Sequence, residues 1–126
     1  MSEPSDSTAP AAEPTVLIVD DHDLVVTPTD NPLGALLDLL PQARDIGLHT
    51  ILVRPTAGAQ RGLLEPVTAR LRELGSPGLI LSGDRAEGPI VGNVRPSPQP
   101  AGRGVLVNRR TDPELVQLAW LAPEAE

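Results

Sequence analysis

The stretch VLIVDDHDLV, residues 16–25, decides how the rest of the chain is read. Val16, Leu17, Ile18 and Val19 run without interruption into Asp20 and Asp21, followed by His22. An unbroken apolar run of this kind suits a buried strand in a sheet flanked by helices. Such a strand delivers the residues after it to the carboxyl edge of the sheet. Acids placed there can orient a divalent cation. They can also do no chemistry and simply cap a loop, since apolar runs ending in Asp are common at strand ends.

Composition narrows the alternatives. At 126 residues the chain is one domain at most, with a modest core. The apolar residues are almost all Leu, Val, Ile and Ala, and Trp120 is the single aromatic. There is no cysteine, so a disulfide framework and a thiolate metal site are excluded. No apolar run approaches membrane-spanning length and the first residues are too acidic for a secretory signal, so the expected location is the cytoplasm, without direct membrane insertion. The formal charge is −7, and setting aside Glu3, Asp6, Glu13, Glu124 and Glu126 in the tails leaves about −2 for the body. That near-neutral body is no nucleic-acid surface. All 10 basic residues are arginines; the sequence contains no lysine.

Residues 1–14, MSEPSDSTAPAAEP, lack a hydrophobic period and read as a disordered acidic tail. The body, residues 15–122, alternates strand and helix. After the first strand, TDNPLGALLDLL offers Asp30 or Asn31 as an N-cap, Pro32 at the first helical position, and Leu33, Leu36, Leu37 and Leu40 on one face. Pro41 breaks that helix and starts a short second turn, which Gly47 ends. LHTILVR, residues 48–54, reads as a second strand. A helix is expected over about residues 63–74, with Leu64, Val67, Leu71 and Leu74 as its apolar stripe, and a third strand over residues 79–81. This rhythm is that of a parallel α/β sheet. Two last strands, residues 105–107 and 115–121, are joined by a short turn and form an antiparallel pair.

Two chemistries use an acid pair after such a strand. A receiver domain also needs an acceptor aspartate after its third strand and a late lysine. No aspartate occurs over residues 51–70, and lysine is absent throughout, so that reading fails. The Walker B strand of an ATPase needs only what is here: a buried run ending in an acid that orients Mg²⁺ through water, then a second acid. Asp20 and Asp21 fit those places.

From residue 16 to residue 121 the chain resembles the end of an FtsK/SpoIIIE-type ATPase domain, specifically the last such domain of the EccC proteins. The resemblance is carried by VLIVDDHDLV, NPLGALLDLLPQARDIGLHTILVR, LLEPVTARLRELGSPGLILSG, VRPSPQPAGRGVLVNRR and VQLAWL. It implies a partial P-loop-NTPase-like fold of the RecA/FtsK type: α/β, with a mostly parallel sheet flanked by helices and a C-terminal antiparallel strand pair. EccC is the motor of actinobacterial type VII (ESX) secretion. The resemblance therefore implies ATP and Mg²⁺ as cofactors, with Asp20 and Asp21 facing the nucleotide and Asp20 touching the metal indirectly. The implied partners are the remaining EccC ATPase domains or subunits and small helical ESX substrates, with no nucleic acid. The implied location is cytoplasmic, at the inner face of the membrane through the secretion complex.

A complete domain of this type opens with a P-loop, GxxxxGK[ST], whose amides and lysine cradle the phosphates. Neither loop nor lysine occurs here, so the chain looks like the carboxyl-terminal half of a domain, and hydrolysis by it alone is not expected. In the complete fold the P-loop strand lies between residues 48–54 and residues 79–81. Without it, those two strands are expected to close directly on each other.

Arg54, Arg61 and Arg85 lie at or beyond strand ends, where an arginine meets a phosphate or a neighbouring subunit, or else a solvated loop. His22 and His49 are too few and too isolated for a zinc or catalytic site; His49 reads as a strand-entry residue. The glycines of PQPAGRG, residues 98–104, suit close backbone approach. Trp120 reads as a packing residue on the last strand. Two function classes follow: a non-hydrolysing ATPase-domain protein of ESX secretion, acting as a subunit or fragment of the EccC motor, or a non-catalytic module that docks export substrates, with a truncated relic as a further alternative.

Overall fold

The computed structural model describes residues 13–124. Residues 1–12, most of the expected disordered tail, lie outside the described residues; Glu13 and Pro14 are exposed and belong to no regular element.

Strand β1, Thr15–Val19, pairs in parallel with β2, Leu48–Leu52, matching Thr15 with Leu48 and Val19 with Leu52. The ladder continues past both strands: Val53 N–H donates to Val19 O and His22 N–H donates to Val53 O, each at 2.9 Å. Strand alternation places Leu17, Val19 and Leu52 on one face, against Leu33, Leu40 and Val67. Val16, Ile18, Ile51 and Val53 occupy the other face and are exposed, Ile18 by 61%. The apolar run is thus that of a strand built for cover on both faces, and the described residues cover one of them.

The crossover from β1 to β2 shows how proline and glycine divide a leucine-rich segment. Asn31 is the N-cap, its side chain accepting from Leu33 N–H at 3.0 Å, and Pro32 follows it. The expected α-helix is instead a 3₁₀ segment, Pro32–Leu36, then a second, Leu40–Gln42, and one α-turn, Ala43–Ile46. Gly34 and Pro41 explain this, because both weaken a helix too short to offset its nucleation cost. Gly47 closes the segment at φ 72°, in the left-handed region that suits it.

The second connection holds a helical turn, Ala59–Gly62, and a helix, Pro66–Glu73. That helix starts three residues later than expected. Pro66 has no N–H to give and takes the first helical position, which makes Glu65 the N-cap. Leu64 consequently falls outside the apolar stripe and is 77% exposed, whereas Val67 is fully buried.

Strands β3 (Gly78–Ile80), β4 (Arg103–Val107) and β5 (Glu114–Gln117) form an antiparallel sheet in the order β3-β4-β5. The antiparallel final pair is as expected. The expected closure of β2 on β3 does not occur, and β3 belongs to the antiparallel sheet. The reason is a competing partner. β3 is matched to β4, Leu79 with Leu106, and a cleft bordered by Thr50, Ile51, Leu71 and Leu74 runs beside β2. Gly104 makes the β3–β4 approach attainable, since a Cβ there would lie 2.5 Å from Ile80 O. This is the close approach expected of that glycine.

β5 ends at Gln117, short of the expected residue 121. The Gln117 side chain donates to Ala101 O and Leu118 O, and Leu118 N–H donates to Gly102 O at 2.7 Å, which turns the chain out of the ladder. Trp120 therefore lies beyond the strand and is 59% exposed, not packed as expected.

A second core of Ala59, Ile80, Ile90 and Val107 lies under this sheet. Arg109, just past β4, donates to Arg72 O and Glu73 O, both at 2.8 Å, and satisfies the last carbonyls of the Pro66–Glu73 helix.

Candidate functional site

The carboxyl end of β1 carries Asp20 and Asp21, both exposed. Asp21 adopts φ 53°, a left-handed conformation that Asp tolerates better than most side chains, and its N–H donates to Asp20 Oδ1 at 2.9 Å. This turn redirects the chain so that the next residue, His22, points inward. His22 is 2% exposed.

His22 Nε2 meets Glu65 Oε1 at 2.8 Å. The same carboxylate accepts from Val67 N–H at 2.6 Å, from Thr68 N–H at 3.1 Å, from Thr68 Oγ1 at 2.9 Å and from Asn31 Nδ2 at 3.1 Å. Burial pushes the Glu65 carboxyl up, but the Val67 amide, His22, Asn31 and Thr68 together outweigh it and hold the group below its ordinary value. One ionised carboxylate thus joins the acid-bearing turn, the N-cap of the leucine-rich crossover and the start of the Pro66–Glu73 helix. His22 Nδ1 is buried with no hydrogen-bond partner among the described residues.

Arg54 follows β2, and Arg61 lies on the Ala59–Gly62 turn. The two border one cleft of about 400 Å³ together with His22, Asn31 and Asp23. The Arg54 guanidinium lies across Gly62, where a Cβ would overlap Arg54 Nη1. Asp20 and Asp21 do not line this cleft, and Arg85 stands apart from it, its carbonyl accepting from Arg95 Nη1. His49 is exposed within β2.

Two neighbouring exposed carboxylates suit an indirect, water-mediated contact to Mg²⁺. No group of three or more acids and histidines among the described residues could hold an ion alone. With no Gly-rich phosphate loop and no lysine in the sequence, these residues fit a part of a Mg·ATP site and do not fit the whole.

Asp20, Asp21 and Arg54 stand just past strand ends, as expected from the sequence, whereas the His22–Glu65 pair was not foreseen. Half of it was legible: a proline at residue 66 marks residue 65 as an N-cap. Nothing in the sequence announces that a histidine 43 residues earlier is its partner.

No family model matches the sequence. The chain is 52% identical over 104 residues to the ESX secretion system protein EccC of Thermomonospora curvata, covering 82% of this chain and 8% of that protein. It is 50% identical over 107 residues to EccC4 of the Mycobacterium tuberculosis ESX-4 system, covering 85% of this chain and 9% of the relative. The chain thus spans less than a tenth of the length of these two relatives. The cytoplasmic domain of the Thermomonospora curvata type VII secretion ATPase EccC superposes with a TM-score of 0.79 at 50% identity, over 86% of this chain and 12% of that one. A structure of ATPases 2 and 3 of the same protein, in complex with a signal sequence peptide, superposes equally well. In sequence and in fold, the chain is an EccC-like ATPase-domain segment.

Proposed function

We propose that this segment works in ESX (type VII) secretion as part of an EccC-type motor, and that it hydrolyses no ATP by itself. The observation that carries the reading is the placement of Asp20 and Asp21. They stand at the carboxyl end of a strand whose outer face is exposed and whose outer edge pairs with no strand among the described residues. In that setting the acids contribute the Mg²⁺-facing side of a nucleotide site whose phosphate cradle comes from other EccC segments, which are the proposed partners. The proposed place of action is the cytoplasm, against the membrane through the secretion complex; no helix among the described residues is long and apolar enough to cross a membrane.

Without a lysine or an amide cradle, the transition state lacks the groups that supply most of its charge stabilisation. The purified chain is expected to show no turnover above background. Turnover that disappears in Asp20→Ala would overturn this part. Deleting the coding segment in the source organism is expected to stop export of small helical ESX substrates; unchanged export would overturn the secretion role.

A second reading, a module that docks export substrates, draws on the exposed apolar face formed by Val16, Ile18, Ile51 and Val53. Binding of a substrate signal peptide to this chain, lost in Ile18→Lys, would favour it.

A further inference from the structure

The Arg54–Arg61 cleft is separate from the acids discussed above, and its own chemistry points to a ligand. Arg54 is half-buried, yet its guanidinium meets no carboxylate among the described residues: the ion pairs there are His22–Glu65 and Arg70–Glu73. Its Nη2 reaches only Gly58 O, at a long 3.4 Å, and its Nε is buried with no hydrogen-bond partner among the described residues. A guanidinium partly withdrawn from water and without an anion is suited to receive one at its accessible Nη groups. Gly62 makes the withdrawal attainable, because only a residue without a side chain leaves room for the guanidinium there. Arg61, one residue before it, supplies a second exposed cation at the same mouth.

Two negative groups also line the cleft, and they bear on which anion fits. Glu65 is fully engaged by its five hydrogen bonds and is turned toward His22 and the helix start. Asp23 is exposed at the rim and opposes a ligand. Attraction to the arginines and repulsion from Asp23 both scale with the ligand's charge, so a doubly charged oxyanion is held more firmly than a carboxylate where it sits nearer the two arginines than the rim. The cleft also lies outside the carboxyl ends of two parallel strands, the place where open α/β sheets bind ligands.

We propose that Arg54 and Arg61 form a binding site for a phosphate-type dianion, with the Nη groups of the two guanidinium groups as its donors. The site stands independently of the secretion role, since it needs only the cleft seen in this chain. The test is a titration of the ¹⁵N-labelled chain with inorganic phosphate, and separately with acetate and chloride at matched ionic strength, following the backbone amide resonances of Gly58, Arg61 and Gly62. Expected are a saturable shift with phosphate only, its loss in Arg54→Gln, and affinity about tenfold weaker in Arg61→Gln, the loss of one charge-assisted contact. Arg61 is exposed, so that variant remains folded and the test stays decisive even if Arg54→Gln unfolds. A linear response equal to that of chloride, an equal saturable response to acetate, or an undiminished shift in Arg61→Gln would each overturn the proposal.

Discussion

His22 and Glu65, 43 residues apart, form a buried pair at 2.8 Å that ties the acid-bearing turn to the start of the Pro66–Glu73 helix. With Glu65 ionised, His22 Nε2–H donates to it, and the carboxylate's other four bonds belong to a helix cap and a neighbouring crossover. Removing the carboxylate strips partners from buried donors in three segments at once. Glu65→Ala is therefore expected to lower stability by about 3 kcal/mol, combining a lost cap with stranded buried donors. Glu65→Gln, which keeps one acceptor oxygen, should lose less. Urea unfolding followed by far-UV circular dichroism gives both values; equal midpoints for wild type and Glu65→Ala would refute the role.

The same carboxylate sets an acid limit. Its value in the folded chain lies below the ordinary 4.5, so its contribution is fully present above that ordinary value. The contribution is lost as pH falls through the lower, folded value, where Glu65 takes up its proton. The urea midpoint is expected to fall as the solution is acidified below about pH 4.5, and to fall less steeply in Glu65→Gln. Parallel curves for the two proteins would show that Glu65 is not the group responsible.

Leu64 and Val67 decide where the helix begins. Val67 is fully buried and Leu64 largely exposed. Val67→Ala is expected to cost about 2 kcal/mol, from lost transfer energy and an unfilled space. Leu64→Ala should stay within about 0.5 kcal/mol of wild type. A helix starting at residue 63 with Leu64 in its stripe would give comparable losses.

Trp120, exposed beyond β5, should emit at the long wavelength of a hydrated indole and be quenched readily by iodide in the folded protein. A blue-shifted, poorly quenched band would place it in a packed interior instead.

Gly104 and Gly34 look alike in the sequence and differ in the fold. Gly104→Ala brings a methyl group against Ile80 O, while around Gly34 nothing lies within 4 Å of an added Cβ. Gly104→Ala is expected to destabilise by more than about 2 kcal/mol, whereas Gly34→Ala is neutral or stabilising. Thermal unfolding of the two variants checks the order.

These contrasts mark where the sequence was readable. An N-cap at Asp30 or Asn31 before Pro32, and Gly47 in its left-handed cap, were legible because capping chemistry is local, and the structure selects Asn31. The strand ending in Asp20 was legible for the same reason, from an unbroken apolar run. What escaped was set by competition between distant segments. β3 could pair with β2 or with β4, and the choice depends on Gly104 sitting under Ile80 O, which no local pattern encodes. The leucines of residues 33–40 kept a helical spacing, but Gly34 and Pro41 turned the segment into 3₁₀ pieces. The Arg54 site rests on a glycine eight residues away in sequence and on where a guanidinium comes to lie.

Arg109 gives the molecule a load path. Its two 2.8 Å bonds to Arg72 O and Glu73 O clamp the end of a helix packed on the parallel ribbon to the end of β4, the central strand of the antiparallel sheet. Tension applied to the chain beyond β4 is shared by that clamp before it reaches the short link over residues 74–77. The two sheets, which exchange no ladder bonds, are in this way joined through one helix, whose other end is capped by Glu65 and linked through His22 to the turn that carries the acids after β1.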